Sequence, residues 1–84
     1  MKDFLEFVAK NLVDNPEAVR IEEIENDGKI LLKLYVDEKE IGKVIGREGK
    51  NAKAMRVLLA AIGAKTKRKV ALEIPVKMTK EKQT

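Results

Sequence analysis

Ile41-Gly42-Lys43-Val44-Ile45-Gly46-Arg47-Glu48-Gly49-Lys50-Asn51-Ala52-Lys53 is the stretch on which the reading of this chain turns. Ile41 to Ile45 fit a short helix, and Gly46 and Gly49 interrupt it. From Lys50 the pattern turns helical again and runs to about Ile62, with Met55, Leu58, Leu59 and Ile62 on one face. Two helices therefore meet at a Gly-Arg-Glu-Gly corner. A glycine lacks Cβ, so such a corner can hold backbone conformations closed to other residues and can come close to a ligand's backbone. The helix that follows offers unpaired N–H groups and a partial positive charge to an anion. Taken alone, the same two glycines also fit a plain helix–turn–helix corner.

Outward from the corner, Ile30, Leu32, Leu34 and Val36 alternate with Leu31, Lys33 and Tyr35, the clearest strand in the chain. Asn26-Asp27-Gly28 before it is a hairpin turn signal. Val19–Glu25 reads as the partner strand. Ile21 and Ile24 have opposite parity there, which predicts a bulge or an edge position. Asp37 with Glu40 three residues on reads as a reciprocal helix start. On the other side, Gly63 stands where a left-handed C-cap is expected. Thr66 to Ile74 reads as a last strand with Val70, Leu72 and Ile74 inward, ended by Pro75. At the N-terminus, residues 2–13 read as an amphipathic helix with Phe4, Leu5, Val8 and Leu12 on one face and Phe7 beside them. Asp14-Asn15-Pro16 stops it.

The predicted fold class is α+β, in the order α-β-β-α-α-β. The long helical crossover returns the last strand parallel to the Ile30–Val36 strand, giving a three-stranded mixed sheet with helices on one face. One domain is expected over residues 1–76, with a polar tail at 77–84.

Composition excludes more than it assigns. The 84 residues include no His, Cys or Ser, which removes the usual neutral-pH base and the two commonest nucleophiles, so a non-enzymatic role is expected. No cofactor or metal is expected, since the best nitrogen and sulfur ligands for zinc are missing too. No apolar run approaches the roughly 20 residues that span a bilayer, and the acids within Met1–Phe7 do not suit a secretory signal. Absence of cysteine fits a reducing cytoplasm, the expected location. The overall charge of +4 is sharply divided. Residues 1–40 carry a net −5, whereas residues 41–69 carry nine cations against Glu48 alone, a net +8. Such asymmetry points to a polyanionic partner, although a solvated basic face accounts for charge by itself.

The Ile41–Lys53 stretch resembles the signature of KH domains, an apolar-Ile-Gly-x-x-Gly turn between two helices. The element order resembles the type II arrangement, and the chain is most similar to the small bacterial single-KH proteins of the KhpA type. The similarity runs from Phe4 to Ile74 and includes Leu12-Val13-Asp14-Asn15-Pro16 and Ala52-Lys53-Ala54-Met55-Arg56.

That resemblance implies single-stranded RNA as partner, about four nucleotides clamped at the loop, and an apolar groove for the bases. Gly46 and Gly49 would then allow close approach. Arg47 and Lys50 would neutralise phosphate around Glu48, with Lys43 and Lys53 on the flanks. Ile41, Val44 and Ile45 would build the groove or the core beneath it. Glu48 places a negative charge in the loop and has to point away from phosphate. With Phe4, Phe7 and Tyr35 as the only aromatics, base stacking on an aromatic platform is not expected, and sequence selectivity should be weak.

The resemblance further implies a homodimer or pairing with a larger KH-containing protein. Val57, Ala60, Ala61 and Ala64 offer a small-residue surface for it, or simply a strong helix-forming face. It also implies an RNA chaperone or post-transcriptional regulator linked to cell envelope growth and cell shape. The principal alternative is a protein–protein adaptor whose KH-like fold binds no nucleic acid. A duplex-DNA reader using the Lys50–Ile62 helix is a third reading, and the flanking strands argue against it. Lys67-Arg68-Lys69 reads as a solvated strand start in preference to a direct RNA contact. Neither a membrane nor a small-molecule substrate is expected.

Overall fold

A computed structural model describes residues 1–75. The elements follow in the order α1 (Lys2–Leu12), β1 (Arg20–Asn26), β2 (Lys29–Tyr35), α2 (Ile41–Ile45), α3 (Lys50–Lys65) and β3 (Lys69–Glu73). Short 3-10 turns at Pro16–Ala18, Glu38–Glu40 and Arg47–Gly49 link them. This is the expected α+β arrangement, and the residues expected to form a polar tail, 77–84, lie outside the described range.

The sheet has the order β1-β2-β3. β1 and β2 are antiparallel from Arg20↔Tyr35 to Asn26↔Lys29, and β2 and β3 are parallel from Lys29↔Lys69 to Lys33↔Glu73. Asp27 (φ 51°) and Gly28 (φ 79°) are both left-handed, the geometry that lets a two-residue turn follow the strand twist. The β1–β2 ladder is continuous, so the mixed parity of Ile21 and Ile24 reflects an edge strand and not a bulge. Ile21 packs toward the core, while Ile24 lies on the opposite face and is 41% exposed.

The core lies between the sheet and the helices. Ile30, Leu32 and Leu34 of β2 meet Leu5 and Ala9 of α1, Val44 of α2, and Met55 and Leu59 of α3. Leu5, Leu32, Leu34 and Leu59 are fully buried, each worth about 1.5–3 kcal/mol of apolar transfer. Two helix faces differ from their sequence reading. On α1 the buried line runs through Leu5 and Ala9, and Phe7 is 68% exposed. On α3 it runs through Ala52, Met55, Leu59 and Gly63, while Leu58 is half exposed. Small residues, Ala9, Ala52 and Gly63, take part in both buried lines.

Gly63 is not a left-handed cap. It lies inside α3, where an added Cβ would stand 2.6 Å from Val70 Cγ2 and 2.7 Å from the Arg68 carbonyl oxygen. The glycine lets α3 sit against the chain that leads into β3. α3 instead ends at Lys65, followed by a turn in which Lys67 takes the left-handed conformation (φ 58°).

Glu40 also departs from its expected role. Asp37 does cap the following turn, accepting from the Lys39 N–H at 3.1 Å. Glu40 does not reach back to it. Its carboxylate, 6% exposed, accepts the N–H groups of Asp14 (2.6 Å) and Asn15 (3.1 Å). A buried carboxylate thereby ties the end of α1 to the start of α2, satisfying two backbone donors that α1 leaves behind.

Candidate nucleic-acid interface

The Gly46–Gly49 loop is built from three left-handed residues. Gly46 has φ 82° and ψ 169°, a region essentially reserved for glycine. Glu48 (φ 58°, ψ 25°) and Gly49 (φ 76°, ψ 12°) follow. The Gly46 N–H donates to the Gly42 carbonyl at 2.8 Å, and the Gly49 N–H donates to the Gly46 carbonyl at 3.0 Å.

The two glycines differ in why they are needed. A Cβ on Gly46 would stand 2.8 Å from both the backbone nitrogen and Cγ of Asn51, whereas one on Gly49 would meet nothing within 4 Å. Asn51 completes the arrangement by donating from Nδ2 to the Lys43 carbonyl at 3.0 Å, across the loop. Sequence reasoning assigned Asn51 no role. Its signal is its position, two residues after the second glycine, with an amide able to satisfy a carbonyl at the end of α2.

Around this loop the structure gathers Arg47, Lys50 and Lys53, all exposed, and Glu48, exposed as well. Among the described residues none of these four forms an ion pair. No side chain caps the start of α3, so the positive end of the helix dipole faces the same solvent as the three cations. Lys43 is less available. It donates to Asp14 Oδ2 at 2.5 Å and lies 3.7 Å from Glu40 Oε2. The hydrogen bond to Asp14 holds its pKa above the ordinary lysine value. Desolvation opposes this, and the charges of Asp14 and Glu40 add to it.

Of the three aliphatic candidates, Val44 is fully buried and Ile41 is 9% exposed, so both belong to the core, while Ile45 is half-buried beside the loop. Ile41 also borders a cleft of about 550 Å³ with Tyr35, Val36 and Pro75, to which residues 46–49 do not contribute. Val57 (67% exposed), Ala60, Ala61 and Ala64 lie on the outer face of α3, away from the core, and exposed Leu58 adjoins them.

The model of the KhpA/KhpB KH domain matches residues 2–74, which takes in every element from α1 to β3 and the glycine loop. The chain belongs to the KhpA/KhpB KH-domain family. It is 49% identical over 74 residues to the RNA-binding protein KhpA of Aquifex aeolicus, an alignment covering 88% of this chain and 94% of that protein. The KhpA of Chlamydia caviae is 47% identical over 88% of this chain and 95% of its own length. That of Clostridium perfringens is 43% identical over 88% and 99%. No solved structure matches the chain significantly. The matched span includes the Gly46–Gly49 turn between α2 and α3.

Proposed function

We propose that the chain is a non-enzymatic, cytoplasmic single-stranded RNA-binding module that grips about four nucleotides at Gly46-Arg47-Glu48-Gly49. The observation that carries this reading is the open, uncapped start of α3 behind a loop of left-handed residues, with Arg47, Lys50 and Lys53 around it forming no ion pair among the described residues. Relatives named as RNA-binding proteins support it. Gly49 leaves room for a sugar-phosphate backbone, Arg47 and Lys50 supply the charge, and Ile45 offers the nearest apolar surface. Glu48 is exposed, and Lys43 contributes mainly by holding α2 to the end of α1. A role as RNA chaperone or post-transcriptional regulator affecting cell shape extends this reading.

The test is titration of a fluorescent single-stranded RNA at two salt concentrations with wild type and with Arg47→Asp/Glu48→Asp. Aspartate tolerates the left-handed conformation that Glu48 adopts, so the variant should keep its fold by circular dichroism. Wild-type affinity should fall with salt at a log–log slope of roughly −2 to −3, for three or four phosphates neutralised. Binding should collapse in the variant. Equal binding by both proteins leaves the loop a structural corner with the RNA held elsewhere, and binding by neither favours the adaptor reading.

Exposed Val57 and Leu58, with Ala60, Ala61 and Ala64 alongside, support self-association or pairing with a larger KH-containing protein through the outer face of α3. Light scattering at high protein concentration should give the mass of a dimer of the 9.5 kDa chain. A monomeric mass refutes self-association.

A further inference from the structure

The sheet face turned away from the helices is ordered in rows across the three strands. Asn26, Lys29 and Lys69 form the first row, Ile24, Leu31 and Ala71 the second, Glu22, Lys33 and Glu73 the third, and Arg20 with Tyr35 the fourth. The third row alternates in sign. The fourth pairs the Arg20 guanidinium with the Tyr35 ring at 5.1 Å. The first row sets Lys29 directly opposite Lys69, a like-charge cross-strand pair that works against the sheet.

The same end of the molecule holds further cations. Lys65 closes α3, Lys67 is held left-handed, and the Lys69 N–H donates to the Gly28 carbonyl at 3.2 Å, pinning this turn to the β1–β2 hairpin. Arg68 pairs with Glu25 at 2.7 Å. Lys29, Lys65, Lys67 and Lys69 form no ion pair among the described residues. Attraction to the carbonyl end of α3 accounts for Lys65. It does not account for Lys29 facing Lys69, for which no ion pair among the described residues compensates. Beside that pair opens a cleft of about 500 Å³ lined by Ile24, Asn26, Lys29, Leu31, Lys69 and Ala71. Cations with an adjacent exposed aliphatic surface suit a phosphate with its attached base.

Resting on the RNA-binding reading above, we propose that Lys29, Lys67 and Lys69, with the Ile24–Leu31–Ala71 surface, form a second site for phosphates and bases of the same RNA strand. The 16 residues of α3 separate it from the glycine loop by about 24 Å at 1.5 Å per residue. At the stacked rise of about 3.4 Å per nucleotide this gap takes about seven nucleotides, and an extended strand takes fewer. Short RNA reaches the loop alone. A 12-mer reaches both sites.

The experiment compares 5-mer and 12-mer single-stranded RNA on wild type and on Lys67→Asn/Lys69→Glu. Both substitutions suit the fold, since asparagine accepts the left-handed position and glutamate turns the Lys29–Lys69 pair attractive. The thermal midpoint should stay at or above wild type. Longer strands offer more registers, so the decisive quantities are the salt slope and the variant's selectivity for length. The wild-type slope should be steeper on the 12-mer by about 1.5, for two further phosphates at about 0.7 each. The variant should bind the 12-mer about tenfold more weakly and the 5-mer unchanged.

An equal loss on both lengths, or no loss on either, overturns the second site. Should wild type ignore the 5-mer, the loop reading fails by itself. The second site then stands only if the 12-mer binds and the variant releases it. If neither RNA binds, both readings fall.

Discussion

Gly46→Ala should unfold the protein far more readily than Gly49→Ala, although both replace a left-handed glycine in one loop. At Gly46 the methyl group meets the Asn51 backbone nitrogen and Cγ, each at 2.8 Å, and neither is the far end of a flexible side chain. The backbone there, φ 82° and ψ 169°, is also nearly closed to other residues. Strain and overlap together should cost about 3 kcal/mol or more. For a domain of this size that lowers the melting midpoint by roughly 12 °C or more. Gly49 adopts the milder left-handed helical conformation with open space around it, so alanine should cost about 1–2 kcal/mol. Thermal and urea unfolding followed by circular dichroism measure the difference, and equal losses at the two sites would show that the contact with Asn51 does not constrain the loop. RNA-binding losses in Gly46 variants therefore have to be separated from unfolding. Gly49 variants report ligand approach more directly.

Glu40→Ala should be the most damaging substitution of a charged residue. It strands the N–H groups of Asp14 and Asn15, which now donate at 2.6 and 3.1 Å to a carboxylate that is almost fully buried. An unsatisfied buried donor costs about 1–3 kcal/mol, and partial access of water to these two amides keeps the total near 2–4 kcal/mol. Glu40→Gln should fall between, because its oxygen can keep one bond while its NH₂ group faces the second donor. Lys43→Met, by contrast, removes ion pairs made by a solvent-exposed ammonium to Asp14 and Glu40 and should cost the least of the three. Denaturant midpoints for the three variants rank these losses. A Glu40→Ala protein as stable as Lys43→Met would mean that solvent replaces the carboxylate and that the α1–α2 tie is held by other contacts.

Both predictions rest on residues whose role the chain order conceals. Glu40 read as a local cap for Asp37, three residues away, yet its partners lie 25 and 26 residues back. Gly63 read as a helix terminator because glycine serves two purposes written with the same letter, left-handed backbone and close approach. At Gly63 the close approach to Val70 and Arg68 decides. Leu58 read as part of the inward face, and Phe7 as lying beside one, because periodicity finds a face without fixing its centre. The buried lines run instead through Leu5 and Ala9 on α1 and through Ala52, Met55, Leu59 and Gly63 on α3.

The sequence by itself determined the element order, the Asp27-Gly28 hairpin, the parallel return of β3 and the corner at Gly46–Gly49. These follow from signals that act within a few residues, namely alternation, helical spacing and left-handed glycine, and from a crossover long enough to demand a parallel strand. Only the tertiary structure decided which glycine is held by contact, which carboxylate is buried, and that Lys43 spends its charge on Asp14 and Glu40 while Arg47, Lys50 and Lys53 keep theirs. Those outcomes depend on distances between residues remote along the chain, and such distances are set when the helices settle on the sheet.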